Sequence, residues 1–323
     1  MDNGEMSPIT ATLHHLLSIP RFLGTFPINQ NGEFVPYRLI FLFATCIAYI
    51  YFSDVGLLID LNLSSLMFVT SILLPIIHVV CLYTKIYHMK EVYSKFSHIG
   101  KYYRSIDVEY DFSYKWKHKY LNLLLILQVF VTGVYMYPNE ARNFLIQFMW
   151  TYISIYSLYD QIFSFLAVTA NSIVYLKYIT DNRELLKKKE ILTYLCKPLE
   201  KVFSLQILCS MGITFFYCMI YIYITFEFGP RVIYVPVITL LGFPLIRMIT
   251  SVNYVMIEAK KIDKLLYRRL LDNPDDKMLE FHMIAKRDVT FTALGFFQIN
   301  SSLIGSMIAV GTTYLVILLQ YVK

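Results

Sequence analysis

The sequence predicts an all-α membrane protein with seven transmembrane helices. Its amino terminus is expected in the cytoplasm and its carboxyl terminus outside, with helical extensions on the cytoplasmic side. Three observations carry this expectation. The 323-residue chain is 57% hydrophobic and only 16% charged, with a mean hydropathy of +0.52, whereas a soluble domain carries about a quarter charged residues. Its apolar residues gather in blocks long enough to cross a bilayer. Its basic residues collect in alternate connections between those blocks.

A span needs roughly 20 apolar residues to cross about 30 Å of hydrocarbon. Suitable blocks run over Tyr37–Ser53, Leu63–Tyr83, Leu121–Tyr137, Phe144–Ala170, Val202–Phe226, Val232–Val255 and Phe291–Tyr321. Apolar character persists beyond the fourth block to Ile179, with Asp160 and Gln161 inside it, so the block reads either as one projecting helix or as two short spans. Charge decides between them. With seven spans, 25 Lys and Arg residues fall in the amino-terminal segment and the connections after spans two, four and six; the opposite side receives only Arg142, Arg231 and Lys323. Positive residues stay inside, so the long loops are cytoplasmic. Splitting the fourth block would place Lys187–Lys189 outside, and the split is rejected. The net charge of +6 matters less than this distribution.

The organisation expected is a cytoplasmic segment 1–36, a six-helix transmembrane region 37–255 with cytoplasmic loops, cytoplasmic helices 256–290, and a seventh span 291–323. The outer connections, about 54–62, 138–143 and 227–231, are short, which makes consecutive spans antiparallel neighbours. Asn62-Leu63-Ser64 is a glycosylation triplet on the expected outer side. Beyond span six, Ile257, Leu265, Leu266 and Leu270 recur among cations in a helical rhythm. Asn273-Pro274-Asp275-Asp276 then reads as a fresh helix start, with Asn273 as cap and Pro274 at the first position. Cys46, Cys81, Cys196, Cys209 and Cys218 all fall within spans or on the inner side, so no extracellular disulfide is expected.

No catalytic, cofactor or metal constellation is expected, and no enzyme activity or nucleic-acid partner. None of His14, His15, His78, His88, His98, His118 and His282 stands at ligand spacing from a carboxylate or cysteine. Asp160 and Arg247 are intramembrane charges, each costing about 2.5–3.5 kcal/mol at a helix centre. They read either as a structural polar network or, with His78, Tyr137, Trp150, Tyr152, Tyr156 and Tyr159, as a small-molecule pocket. In the last block Gly295, Gln298, Ser302, Ser306, Ala309, Thr313, Val316 and Gln320 form one slender or polar face. From Ser302 to Gln320 it rises about 27 Å. Such a face suits close helix packing. It equally suits a water-filled conduction path with Val316 or Ile317 as an apolar constriction and Gln320 as a polar ring.

That block also reads Thr313-Tyr314, five apolar residues, Gln320, Tyr321. It resembles the last-span signature of the insect gustatory receptor family, within the insect chemoreceptor superfamily, which ends in Phe where this chain has Tyr. Phe291–Phe297 with Ile299-Asn300, and Leu23–Pro27, resemble the family's approach to that span and its amino-terminal leader. The resemblance implies a tastant-gated, non-selective cation channel in the plasma membrane of sensory neurons. It implies a homo- or hetero-tetramer with other receptor subunits, a pore lined by four seventh helices, and cytoplasmic helices that hold the subunits together. Partners would be a small-molecule tastant and the lipid bilayer. By position, Gln320 and Tyr321 would lie near the outer gate, with Ser302, Ser306, Thr313, Val316 and Ile317 along the pore. Sugar-receptor members carry Glu after the Thr–Tyr pair; Leu315 here points away from a sugar.

Two rival classes are weighed. A G-protein-coupled type receptor without a pore predicts an external amino terminus, which the basic residues oppose, and no Asp-Arg-Tyr follows the third block. A secondary transporter predicts an inverted repeat or paired intramembrane carboxylates, and the sequence shows neither.

Overall fold

The computed structural model describes residues 161–228, 234–284 and 288–321 continuously, together with 85–95, Val80 and short stretches between 13 and 44. Among the described residues the elements are helical. Residues 85–95 form α1. Residues 161–175 form α2, which tightens into a 3-10 turn at Leu176–Tyr178. Asn182–Phe228 is α3, Tyr234–Asp272 α4, Lys277–Ile284 α5 and Ser301–Tyr321 α6. A further 3-10 turn lies at Pro36–Arg38.

Helix α3 has 47 residues, about 70 Å at 1.5 Å per residue, more than twice a hydrocarbon thickness. Its second half holds the apolar block from Val202, and its first half is basic and amphipathic. Pro198 lies inside it. A proline lacks the N–H that would bond the carbonyl four residues earlier. That carbonyl belongs to Tyr194, and Lys95 of α1 donates to it at 3.3 Å, its ammonium 5.8 Å from the Tyr194 ring centre. The helix therefore survives its proline with an outside donor.

Helix α4 is likewise continuous over 39 residues, so the expected boundary at 255/256 falls inside one helix. It lies along α3, and a buried ion pair joins their charged halves. Lys189 donates to Asp263, both buried, and Lys189 Nζ stands 3.0 Å from His282 Nε2 of α5. Glu258 of α4 accepts from Lys177 at 3.0 Å and Lys261 at 2.5 Å. Burial pushes this carboxyl up, but the two lysine hydrogen bonds prevail and hold it below its ordinary range. Arg269 donates to the carbonyls of Ile179 at 2.7 Å and Thr180 at 3.3 Å, and to Asn182 Oδ1 at 3.1 Å. These bonds satisfy the backbone where α2 ends and α3 begins.

The amino-terminal segment packs into the same core. Leu13, Leu17 and Phe26 are fully buried. Phe26 and Tyr93 of α1 meet Phe165 of α2 at 6.0 and 6.3 Å, and Phe165 meets Phe203 of α3 at 5.6 Å. Arg21, one of the cations counted on the cytoplasmic side, is buried. It donates to Tyr93 Oη at 2.7 Å and to the Ile28 carbonyl at 3.0 Å. Burial lowers its pKa, and burial also drives the Tyr93 phenol up to about 12.

Two expected helix starts move. Residues 273–276 form a turn, and Asp276, rather than Asn273, caps α5 by accepting from the Met278 and Leu279 amides at 3.1 and 3.2 Å. Asp276 itself donates its amide to the Asn273 carbonyl at 3.2 Å, which closes the turn. The last block is not one helix from Phe291 either. Leu294 and Gly295 adopt φ of 53° and 78°, the left-handed region that ends helical propagation. Asn300 then caps α6, its Oδ1 accepting from the Leu303 amide at 3.2 Å.

Candidate functional site: the last helix and the polar wall of α3

Helix α6 leans on α3 and α4. Its partly or fully buried positions are Leu303, Ile304, Met307, Gly311, Leu315 and Leu319. At about 100° per residue, their mean direction lies about 180° from that of Ser302, Ser306, Ala309, Thr313, Val316 and Gln320. All six of the latter are exposed in the single chain. Gly295 and Gln298 drop out of this face because they precede the helix, in the turn. Ile317, 41% exposed, borders the face, and Val316 is 48% exposed within it. The Ser306 and Thr313 hydroxyls donate back to the Ser302 and Ala309 carbonyls at 3.3 and 3.0 Å. Tyr321 closes α6, and its side chain lies outside the described residues.

On the opposite side Gly311 is the point of close approach. A Cβ there would meet Met219 Sδ at 2.9 Å and Phe215 Cε2 at 3.3 Å. The small residue that lets α6 dock on its own protomer is thus Gly311, which the sequence face does not include. Sequence reading also passes over Glu200 of α3. Its Oε1 accepts from the Thr292 amide at 2.9 Å and from the Thr292 hydroxyl, fastening the turn that leads into α6.

Of the candidate pocket residues, His78, Tyr137, Trp150, Tyr152, Tyr156, Tyr159 and Asp160 lie outside the described residues. Arg247 of α4 lies with its guanidinium carbon 3.6 Å from the Phe163 ring centre on α2. This cation–π contact shelters a charge among apolar helices. The wall that sequence reading missed is on α3. Gln206, Ser210, Thr214, Tyr217 and Tyr221 recur at helical spacing and all are buried. Both polar atoms of the Gln206 amide lack a hydrogen-bond partner among the described residues. Abundant tyrosine and serine along the chain hide this stripe in the sequence; only its spacing marks it.

Comparison with known proteins now defines the class. Two structures of the insect olfactory receptor OR5 from Machilis hrabei have the same fold. One matches at 14% identity and TM-score 0.55, covering 96% of this chain and 97% of that one. The other, in complex with eugenol, matches at 16% identity and TM-score 0.61, covering 97% and 98%. These receptors are seven-helix membrane proteins, and the present chain shares their fold. Residues 181–323 match the family described as 7tm Chemosensory receptor. Over this region the sequence is similar to that family, and along nearly its whole length the chain shares the fold of the two receptor structures. No curated protein matches it.

Proposed function

We propose that this chain is a gustatory-type receptor that opens a non-selective cation pore when a small molecule binds. Four subunits would each contribute α6, with the amino terminus cytoplasmic and the protein in the plasma membrane of sensory neurons. The observation that carries the reading is the opposition of the two faces of α6. The Ser302–Gln320 face turns away from the protomer that holds the helix. Its Ser306 and Thr313 hydroxyls donate back along the helix, so their open acceptor sides and the exposed Gln320 amide are what look to a partner or water outside that protomer. Ring closure around a symmetry axis supplies both.

Ligand recognition falls to the helical bundle, where the buried wall from Gln206 to Tyr221 offers hydroxyls, aromatic faces and an amide without a partner among the described residues. Eugenol, bound by the Machilis receptor, is a small phenolic of the kind this wall suits. Leu315 in place of Glu argues against sugars. The charge asymmetry supports the cytoplasmic amino terminus against a G-protein-coupled arrangement. The test is current in a heterologous cell with G-protein signalling blocked. Ligand-evoked current should persist, and Gln320→Ala should alter unitary conductance or basal opening. Current that vanishes with G-protein block would end the channel reading.

A further inference from the structure

Residues 291–299, between the charged helical layer and α6, form a closed hairpin. Thr292 and Gln298 bridge in antiparallel fashion. The Phe296 amide donates to the Ala293 carbonyl and the Ala293 amide to the Phe297 carbonyl, each at 3.0 Å, and the Ile299 amide to the Phe291 carbonyl at 2.9 Å. With positive φ at both Leu294 and Gly295, the tip is a type I′ turn. Leu294 has a Cβ and holds this conformation at a cost, so the surrounding contacts impose it. The Gly295 amide donates to Thr292 Oγ1 at 3.2 Å. Phe291, Ala293 and Ile299 are buried, while Leu294 and Phe296 are exposed.

One carboxylate grips this hairpin. Glu200 takes both the Thr292 amide and the Thr292 hydroxyl, and among the described residues no lysine or arginine pairs with it. Phe165, Leu199, Glu200, Phe203, Phe291 and Thr292 line one narrow apolar cavity, where hydrogen bonds to a carboxylate are stronger than in water. Little slack separates this grip from the pore helix. Ile299 is bonded to Phe291, Asn300 caps α6, and α6 begins at Ser301. Glu200 itself stands two residues before Val202, at the foot of the apolar half of α3, whose buried wall rises from Gln206. A displacement of α3 caused by a ligand on that wall is therefore passed to the base of α6.

We infer that Glu200 is a positioning residue for gating: a strut that makes the foot of α3 and the start of the pore helix move as one body. This rests on the channel reading, and the experiment separates the two. Full-length chains carrying Glu200→Ala, Glu200→Gln, Thr292→Val or Thr292→Ser are expressed and challenged with a panel of small aromatic tastants that includes eugenol. Currents are normalised to labelled surface protein. Amide hydrogen exchange is followed in purified protein across the peptide containing Thr292 and Gly295.

Glu200→Ala should speed exchange at Thr292 by about tenfold, the loss of one charge-assisted hydrogen bond. It should raise the half-maximal concentration by about fivefold or more, the lower end of ordinary allosteric coupling, and lower the maximum, with unitary conductance unchanged. Gln, which keeps an acceptor oxygen, should recover most of the response. Thr292→Val should shift the response in the same direction and add nothing on top of Glu200→Ala, while Thr292→Ser should behave as wild type. Unchanged exchange, or faster exchange with a wild-type concentration–response, overturns the strut. So does a Gln variant as impaired as Ala. If Glu200→Ala fails to reach the surface, equal behaviour of the Val and Ser variants overturns it instead. A wild-type chain that passes no current with any tastant counts against the channel reading, while the exchange measurement still judges the strut.

Discussion

Gly311→Val tests how α6 is held. An added Cβ at 311 already meets Met219 Sδ at 2.9 Å and Phe215 Cε2 and Cζ at 3.3 and 3.5 Å. For Ala the cost of moving the flexible Met219 is offset by about 1 kcal/mol of helix propensity gained over Gly, so Gly311→Ala should be close to neutral. Val brings two further methyls against the Phe215 ring, and overpacking of this kind costs about 1–3 kcal/mol. The helix can relieve the clash only by moving away from α3, toward its exposed polar side. Gly305 supplies the control: it lies in the same helix, is exposed, and a Cβ there meets nothing within 4 Å. Thermal unfolding of the purified protein should place Gly311→Val about 2–5 °C below wild type, at roughly 1.5 °C per kcal/mol for a chain of this size. Gly305→Val should stay within a degree or two. Equal losses at both glycines, or none at 311, would refute the docking geometry and with it the opposed-face argument.

Three further outcomes follow from the buried polar groups. Asp263→Ala leaves the buried Lys189 ammonium without its carboxylate, so it should cost about 3–5 kcal/mol in chemical denaturation, whereas the paired replacement Asp263→Leu with Lys189→Met should recover most of the loss. Gln206→Leu removes an amide with no partner among the described residues; it should raise thermal stability by about 1–3 kcal/mol while weakening the response to small aromatic ligands. Glu258 is held below its ordinary carboxyl range by Lys261 and Lys177 despite the opposing pull of burial. Its stabilisation is therefore full above the ordinary carboxyl pKa of about 4.3 and is lost as pH falls through its lowered native value. Glu258→Gln should flatten that acid limb of the unfolding profile and leave the slope near neutral pH unchanged.

The sequence exposed the helical membrane fold because hydropathy is averaged over many residues, and the orientation expected rests on charge averaged in the same way. No single misread position can undo a contrast of 25 basic residues against three. Local events were harder to read. Pro198 looks like a helix stop, and only a lysine 103 positions earlier, Lys95, shows why α3 continues. Asn273-Pro274 has every mark of a cap, yet Asp276 takes the role because its amide first closes a turn on the Asn273 carbonyl and its carboxylate then meets the first amides of α5. The polar side of α6 was visible from spacing alone. Its neighbours were not, since the apolar positions opposite look alike until Gly311 is found against Met219 and Phe215. Glu200 carried no sequence signal at all: one acid among lysines at the foot of a span reads as an ordinary charge, and its partner Thr292 lies 92 residues away.

The most direct test of the account is water access to the polar side of α6 in the open channel. Ser306→Cys and Thr313→Cys, compared with the parent chain and with Leu303→Cys on the docked side, are exposed to a small charged thiol reagent during ligand-evoked current. The account predicts rapid, irreversible block at 306 and 313, faster with ligand than without, and no block at 303. Current untouched at both 306 and 313 while the thiols remain unmodified would show that this side of the helix faces no aqueous path.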